Sequence, residues 1–310
     1  MSVTGSLRER QAERGRARSD SRNLLGNAYE GSLMDLSALS AALKNVRAST
    51  PLVHCITNYV TVNDCANALL ACGGSPIMSD EPLDVEDIQT ICGGLVLNIG
   101  TLNERTIAGM HVAGKRATEL GHPIVLDPVG AGASALRTKT ASDLLDAYDI
   151  AVIRGNMSEM KALAGAAATT RGVDVNPDDA VTEGNLAESA AFAKALAAKA
   201  GSIVAVTGAI DLVADAERAY AIRNGSPIMG KITGTGCMLT CVTAAYAVAN
   251  RDQLLEAVVA AVAGSGVAGE MAAARMQPVD GNASFRNYLI DAYFNINGQA
   301  LEAVARVEEL

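Results

Sequence analysis

Four short apolar runs constrain this chain more than any other feature: Leu95–Ile99, Ile124–Leu126, Ile150–Ile153 and Ile203–Val206. None alternates with polar residues, so each reads as a strand buried on both faces. Helix-like stretches lie between or beside them, at 103–120, 156–164 and 184–200. Strand and helix in alternation predict an α/β fold with a mainly parallel sheet. A fifth run, Leu212–Ala214, lies close to Ala219–Ile222, and the two predict an antiparallel pair near Asn224-Gly225. Upstream, an apolar helix-like stretch runs from Leu33 to about Val46. The segment PLVHCITNYVTVNDCANALLACGGSPIM then predicts a short strand, a polar turn, a helix over roughly 61–72 and a Gly-Gly stop. From 235 onward the pattern is helical throughout, over 235–249, 252–274 and 284–307.

Residues 1–32 stand apart. They carry six arginines and four acids among Ser, Gly and Gln. Such a stretch buries too little apolar surface to order itself, and without an apolar core it is not a signal peptide. It is read as a mobile extension, and 33–310 as one domain with no linker or internal repeat.

Composition narrows the function classes. With 49% hydrophobic residues, 3% aromatics and no tryptophan, the core must be built of Ala, Val, Ile and Leu. A net charge of −9 offers no basic field for nucleic acid. No uninterrupted run of about eighteen apolar residues points to a membrane span. The six cysteines form no C-x-x-C pair, and with three histidines they lack zinc-type spacing. Free cysteines in apolar surroundings suit a reducing, cytoplasmic setting.

In an open parallel sheet, ligands bind beyond the carboxyl ends of the strands. The strand endings here are Gly100-Thr101, then Asp127-Pro128-Val129-Gly130-Ala131-Gly132, then Arg154-Gly155-Asn156 with Glu159, then Thr207-Gly208. One such ending is ordinary turn chemistry, but four in succession favour a shared polar cleft. Asp127 suits a metal-linked carboxylate or a turn aspartate capping Val129-Gly130. Asn156 and Glu159 have the spacing of a helix capping box. Arg154 closes an apolar strand and needs a partner, for which a phosphate is suitable. Thr233-Gly234-Thr235-Gly236 leads into a helix whose first amides lack acceptors, a setting that binds anions. It is neither a Walker A loop nor a dinucleotide fingerprint. Cys237, on the first turn, is expected to have its pKa lowered by the helix N-terminus. It reads either as a base toward a substrate hydroxyl or as a packed small residue.

Taken in order, these endings resemble the hydroxyethylthiazole kinase family of the ribokinase-like superfamily. The resemblance covers about 33–310. It is carried by His54 with Ile56-Thr57-Asn58, Ser75-Pro76-Ile77-Met78, Leu97-Asn98-Ile99-Gly100-Thr101-Leu102, Leu126–Ala133, Ile153-Arg154-Gly155-Asn156 with Glu159, Val206-Thr207-Gly208 and Ile232–Cys237. It implies a three-layer α/β/α sandwich with a mainly parallel central sheet, and a homotrimer. It implies transfer of a phosphoryl group from ATP to 4-methyl-5-(2-hydroxyethyl)thiazole in thiamine salvage. Met78 and Gly234 would contact the alcohol, with Asn58 nearby. Arg154 and Thr207, with Thr235 and Gly236, would bind ATP. Asp127 and Glu159 would hold Mg²⁺. Cys237 stands where related sugar kinases place an aspartate base. The same fold also serves hydroxymethylpyrimidine and sugar kinases and NAD(P)HX dehydratases, which are the rival readings. Cys55, Tyr59 and the acidic Ser79-Asp80-Glu81-Pro82 depart from the family pattern.

Overall fold

The computed structural model describes residues 35–165 and 179–310. The arginine-rich segment 1–32 lies outside the described residues.

A nine-stranded sheet organises the chain, in the order β2-β1-β3-β4-β5-β6-β7-β8-β9. Its parallel part comprises β1 (Leu52–Ile56), β2 (Ser75–Met78), β3 (Gly94–Asn98), β4 (Ile124–Asp127), β5 (Ile150–Gly155) and β6 (Ile203–Val206). Beyond β6 the strands β7 (Asp211–Ala214), β8 (Ala219–Ile222) and β9 (Val307–Glu309) pair antiparallel. The chain passes from β1 outward to β2, then crosses back to β3 on the other side of β1. The sheet therefore has its topological switch point at the β1/β3 pair, where open α/β sheets bind ligands.

Alternate strand residues feed two separate cores. Val53, Cys55, Val96, Val125 and Val152 face one side; Ile56, Leu95, Leu97, Ile124, Leu126 and Ile153 face the other. Period-two burial on both faces is why these runs are apolar throughout. Ala151 is an extra residue against β4, since Ile124 pairs with Ile150 and Val125 with Val152. The first face is covered by α1 (Ser37–Ser49), α2 (Val62–Cys72), α8 (Thr235–Ala249), α9 (Leu254–Arg275) and α10 (Asn282–Asn295). The second is covered by α3 (Val85–Ile91), α4 (Glu104–Leu120), α5 (Ala135–Ala147), α6 (Met157–Leu163) and α7 (Leu186–Ala200). The result is the α/β/α sandwich that the resemblance implies. A short α11 (Gly298–Val304) precedes β9.

Helix α9 is long and apolar enough to span a bilayer, but 78% of its apolar window is buried inside this molecule. It is the central helix of the first core, and its small residues allow close packing: Gly266 abuts the Asn224 backbone.

Several sequence expectations need correction. The Gly-Gly stop stands, with left-handed Gly73 capping α2, but the run Ser75–Met78 after it, given no element in the sequence reading, is an edge strand. Pro76 cannot donate to a ladder and is tolerated there because, among the described residues, β2 pairs with β1 alone. The hairpin between β7 and β8 turns at Asp215, whose side chain accepts from the Glu217 and Arg218 amides at 2.8 and 2.6 Å. Asn224-Gly225 instead follows β8, and Asn224 reaches the Val304 carbonyl at 3.0 Å. The helix expected over 284–307 breaks at Ile296. Asn297 then caps α11 by accepting from the Ala300 amide at 2.8 Å, and the chain ends in a strand. Helices α3 and α5 escaped the sequence reading because so few of their apolar residues recur at helical spacing. In α5 only Thr140, Ala141 and Leu144 are buried.

Candidate active site

Every strand ending singled out in the sequence meets at the carboxyl edge of the sheet. Asn58, Asp127, Arg154, Glu159, Gly234, Gly236 and Cys237 line one cavity of about 380 Å³. A neighbouring cavity of about 600 Å³ shares Arg154, Asn156 and Gly236 with it and adds Thr207 and Thr235. Another cavity, of about 640 Å³, opens at the amino ends of the strands around Pro123, Ile150 and Gly201 and holds none of these groups. Met78 closes β2 but lines neither of the two joined cavities.

Asp127 is the last residue of β4 and is fully buried. Its Oδ2 accepts from Asn98 Nδ2 at 2.8 Å and Thr240 Oγ1 at 2.7 Å, with the Arg154 guanidinium 3.6 Å away. Its Oδ1 has no hydrogen-bond partner among the described residues. Burial pushes this carboxyl up, against the opposing pull of Arg154, Thr240 and Asn98. A buried carboxylate oxygen left open is costly unless a ligand engages it.

Glu159 plays two parts. It completes the capping box at the start of α6: the Glu159 amide donates to Asn156 Oδ1 at 2.9 Å, and the Asn156 amide to Glu159 Oε2 at 2.8 Å. Its Oε1 accepts from the Gly130 amide at 2.8 Å, which pins the loop after β4. The carboxylate is therefore structural and still faces the cavity. Burial, reinforced by the Asp127 charge, pushes it up to about 7. Gly155 leaves room for it, since a Cβ there would sit 2.8 Å from Glu159 Oε2.

Arg154 lies under both cavities. Its Nη2 donates to Thr207 Oγ1 at 2.5 Å, and its Nε is buried without a partner among the described residues. Opposite it, α8 begins at Gly234 with φ +88° and no side-chain cap. The first amides of α8 thus have neither intrahelical acceptors nor a capping side chain, which suits an anion. Both glycines are sterically required. A Cβ on Gly236 would collide with the Arg154 guanidinium, and one on Gly234 with Thr61.

Cys237 is half-buried, and its Sγ accepts from Asn58 Nδ2 at 3.2 Å. The expected lowering of its pKa is reversed. Burial, with the Asp127 charge next in weight, pushes the thiol up to about 11. The helix terminus loses because a thiolate would share a desolvated pocket with a carboxylate.

Three contributing residues carried no role in the sequence reading. Asn98 and Thr240 hold Asp127, and Arg137 ties two loops together by donating to the Val129 and Gly100 carbonyls at 3.0 and 2.7 Å. Thr240 was findable: it lies three residues beyond Cys237 on one helix face. Asn98 is a polar residue ending an apolar strand in register with Asp127. Nothing local marks Arg137.

The model of the Hydroxyethylthiazole kinase family matches residues 43–299. The chain belongs to the hydroxyethylthiazole kinase family. A hydroxyethylthiazole kinase of Clostridium acetobutylicum is 54% identical over 270 residues, which are 87% of this chain and 99% of that protein. The solved hydroxyethylthiazole kinase structure from Pyrococcus horikoshii OT3 superposes with a TM-score of 0.77 at 37% identity, covering 88% of this chain and 98% of that one. A ribokinase-like superfamily protein from Enterococcus faecalis V583 shares the fold alone, with a TM-score of 0.57 at 12% identity over 86% of this chain and 98% of that one.

Two outcomes follow for this family member. Gly234→Ala forces a left-handed backbone on a residue with a Cβ, costing about 1–3 kcal/mol, and displaces Thr61. Chemical denaturation is expected to register that loss, and turnover to fall with it; an unchanged midpoint contradicts the geometry. The second concerns pH. The folded pKa of Glu159, about 7, lies above its ordinary value of 4.5, so folding favours the protonated form. That stability is fully present below about pH 4.5 and is lost as pH rises through about 7. Asp211, half-buried beside the neighbouring cavity and also raised to about 7, titrates in the same window. Denaturation of the ligand-free protein across that range should show stability falling. Glu159→Gln should remove part of the slope, and an unaltered slope contradicts the assignment.

Proposed function

We propose that this chain phosphorylates the primary hydroxyl of 4-methyl-5-(2-hydroxyethyl)thiazole from ATP, a step of thiamine salvage. The observation that carries the reading is one cavity in which the bare start of α8, Arg154 and the open Asp127 carboxylate face one another. Phosphoryl transfer needs positioning and charge stabilisation more than covalent help. The residues present match that demand.

The larger cavity takes the nucleotide, with Thr207, Thr235 and Gly236 along its wall. Arg154 sits between the two cavities and faces the transferring phosphoryl group, which supplies its unpartnered Nε with an acceptor. The amides of Thr235, Gly236 and Cys237 receive charge on that group. Asn58 and Gly234 border the smaller cavity, where the alcohol lies. Met78 lines neither cavity, and its contact with the alcohol rests on the family resemblance alone.

The residues also fit a magnesium ion held jointly by protein and nucleotide. No group of three or more His, Cys, Asp and Glu side chains is gathered for a metal among the described residues. Two carboxylates suffice where phosphates and water complete the shell. Asp127, with its unpartnered Oδ1, and Glu159, whose oxygens already accept amides, would hold the ion. The ion supplies neutralisation of phosphate charge.

Cys237 remains protonated at neutral pH on this account. As a thiol it orients the substrate hydroxyl by hydrogen bonding, and the hydroxyl proton leaves late, to an oxygen of the transferred phosphoryl group, once the attacking oxygen has become acidic through bonding to phosphorus. The assembly is read as a homotrimer from the family. The exposed Tyr59 and Val60 beside the cavity support a neighbouring subunit there. A cytoplasmic location agrees with the free cysteines.

A coupled ADP-release assay tests the reading against its rivals, with thiazole alcohol, hydroxymethylpyrimidine, ribose and hydrated NADH as acceptors. Release that depends on the thiazole alcohol is expected; none at any magnesium level defeats the assignment. In the same assay Cys237→Ala should slow turnover, and Cys237→Asp should retain or raise it. Unchanged turnover in Cys237→Ala removes the thiol from the mechanism.

A further inference from the structure

We propose that Asn98 is a positioning residue that ties the phosphate half of the cleft to the alcohol half through a single side-chain amide. The proposal rests on the kinase reading above.

Asn98 closes β3, is 2% exposed, and stands in register with Asp127 on β4. On its other side lies β1, so the residue occupies the switch point of the sheet. Its Nδ2 donates to Asp127 Oδ2 at 2.8 Å. Its Oδ1 accepts from the Gly100 amide at 2.9 Å and from Asn58 Nδ2 at 3.1 Å. Asn58 is equally committed: its Oδ1 accepts from the Thr61 amide at 3.2 Å and Thr61 Oγ1 at 3.0 Å, and its Nδ2 also donates to Cys237 Sγ.

These partners leave the amide one orientation. A flipped Asn98 would set its oxygen against the Asp127 carboxylate and its NH₂ against two donors, the Gly100 amide and Asn58 Nδ2. The fixed amide holds Oδ2 of Asp127, which leaves the buried Oδ1 as the oxygen without a partner among the described residues. The same group aims Asn58, and Asn58 aims the sulfur of Cys237. Thr240 shares only the first task and Asn58 only the second, so the three residues can be separated experimentally. A residue that merely filled the core would lower stability without distinguishing the two ligands.

Isothermal titration of the full chain with magnesium-ADP and, separately, with hydroxyethylthiazole tests this. Thr240→Val is expected to weaken magnesium-ADP alone, and Asn58→Ala the thiazole alcohol alone. Asn98→Leu is expected to weaken both, each by about tenfold, the effect of one hydrogen bond to a charged or fixed polar group. Asn98→Asp keeps the shape and the acceptor toward Asn58 but turns the donor into an oxygen facing Asp127. It is the variant to read if Asn98→Leu does not fold, and it should weaken magnesium-ADP more than the alcohol. Both affinities staying within about twofold of wild type in Asn98→Leu, or magnesium-ADP doing so in Asn98→Asp, overturns the proposal. A wild-type chain that binds magnesium-ADP but no hydroxyethylthiazole overturns the substrate assignment and the alcohol limb together. That result is distinct from a null effect in the variants.

Discussion

The site is organised around a carboxylate held from one side. Asp127 is fully buried, and its Oδ2 collects the donors from Asn98 and Thr240 with Arg154 close by. Taking a carboxylate out of water costs several kcal/mol before compensation. The sheet supplies that compensation through residues on three different elements, so the carboxylate cannot be placed without the fold around it. Its other oxygen is buried without a hydrogen-bond partner among the described residues. On the proposed kinase reading, that oxygen finds its partner when the nucleotide binds.

Opposite the carboxylate, the chain keeps polarity without charge. Helix α8 starts on a left-handed glycine and carries no acidic residue in its first turn. A carboxylate cap would satisfy the same amides and close the anion site. Gly236 serves a second purpose by admitting the Arg154 guanidinium against the helix. The negative and positive walls are thus set by backbone geometry as much as by side-chain charge. Cys237 sits between them, and its raised pKa follows from that crowding more than from the helix terminus.

The central parallel sheet was legible because burial on both faces keeps β3 to β6 free of polar alternation up to their carboxyl ends. The chemistry at their ends was legible because Asp127, Arg154 and the Thr233–Cys237 loop interrupt that pattern abruptly. What escaped depends on tertiary partners. Pro76 hides an edge strand, and the edge role is visible only once β1 is seen to be its sole neighbour. The turn at Asp215 was outbid by Asn224-Gly225, a stronger local signal whose asparagine is in fact committed to α11 and its surroundings. Asn98 and Thr240 look like ordinary polar residues until the register and helix packing bring them to one carboxylate. The pKa of Cys237 was misread for the same reason, since desolvation and a neighbouring charge are properties of the packed site.

The central claim is most directly tested by a crystal structure with magnesium, a non-hydrolysable ATP analogue and the thiazole alcohol bound together. The account expects the terminal phosphate on the amides of Thr235 to Cys237, Arg154 turned to it, and Asp127 Oδ1 engaged by the metal or its water. A triphosphate seated elsewhere, for example in the cavity around Pro123 and Ile150, with Asp127 Oδ1 still without a partner, would contradict it.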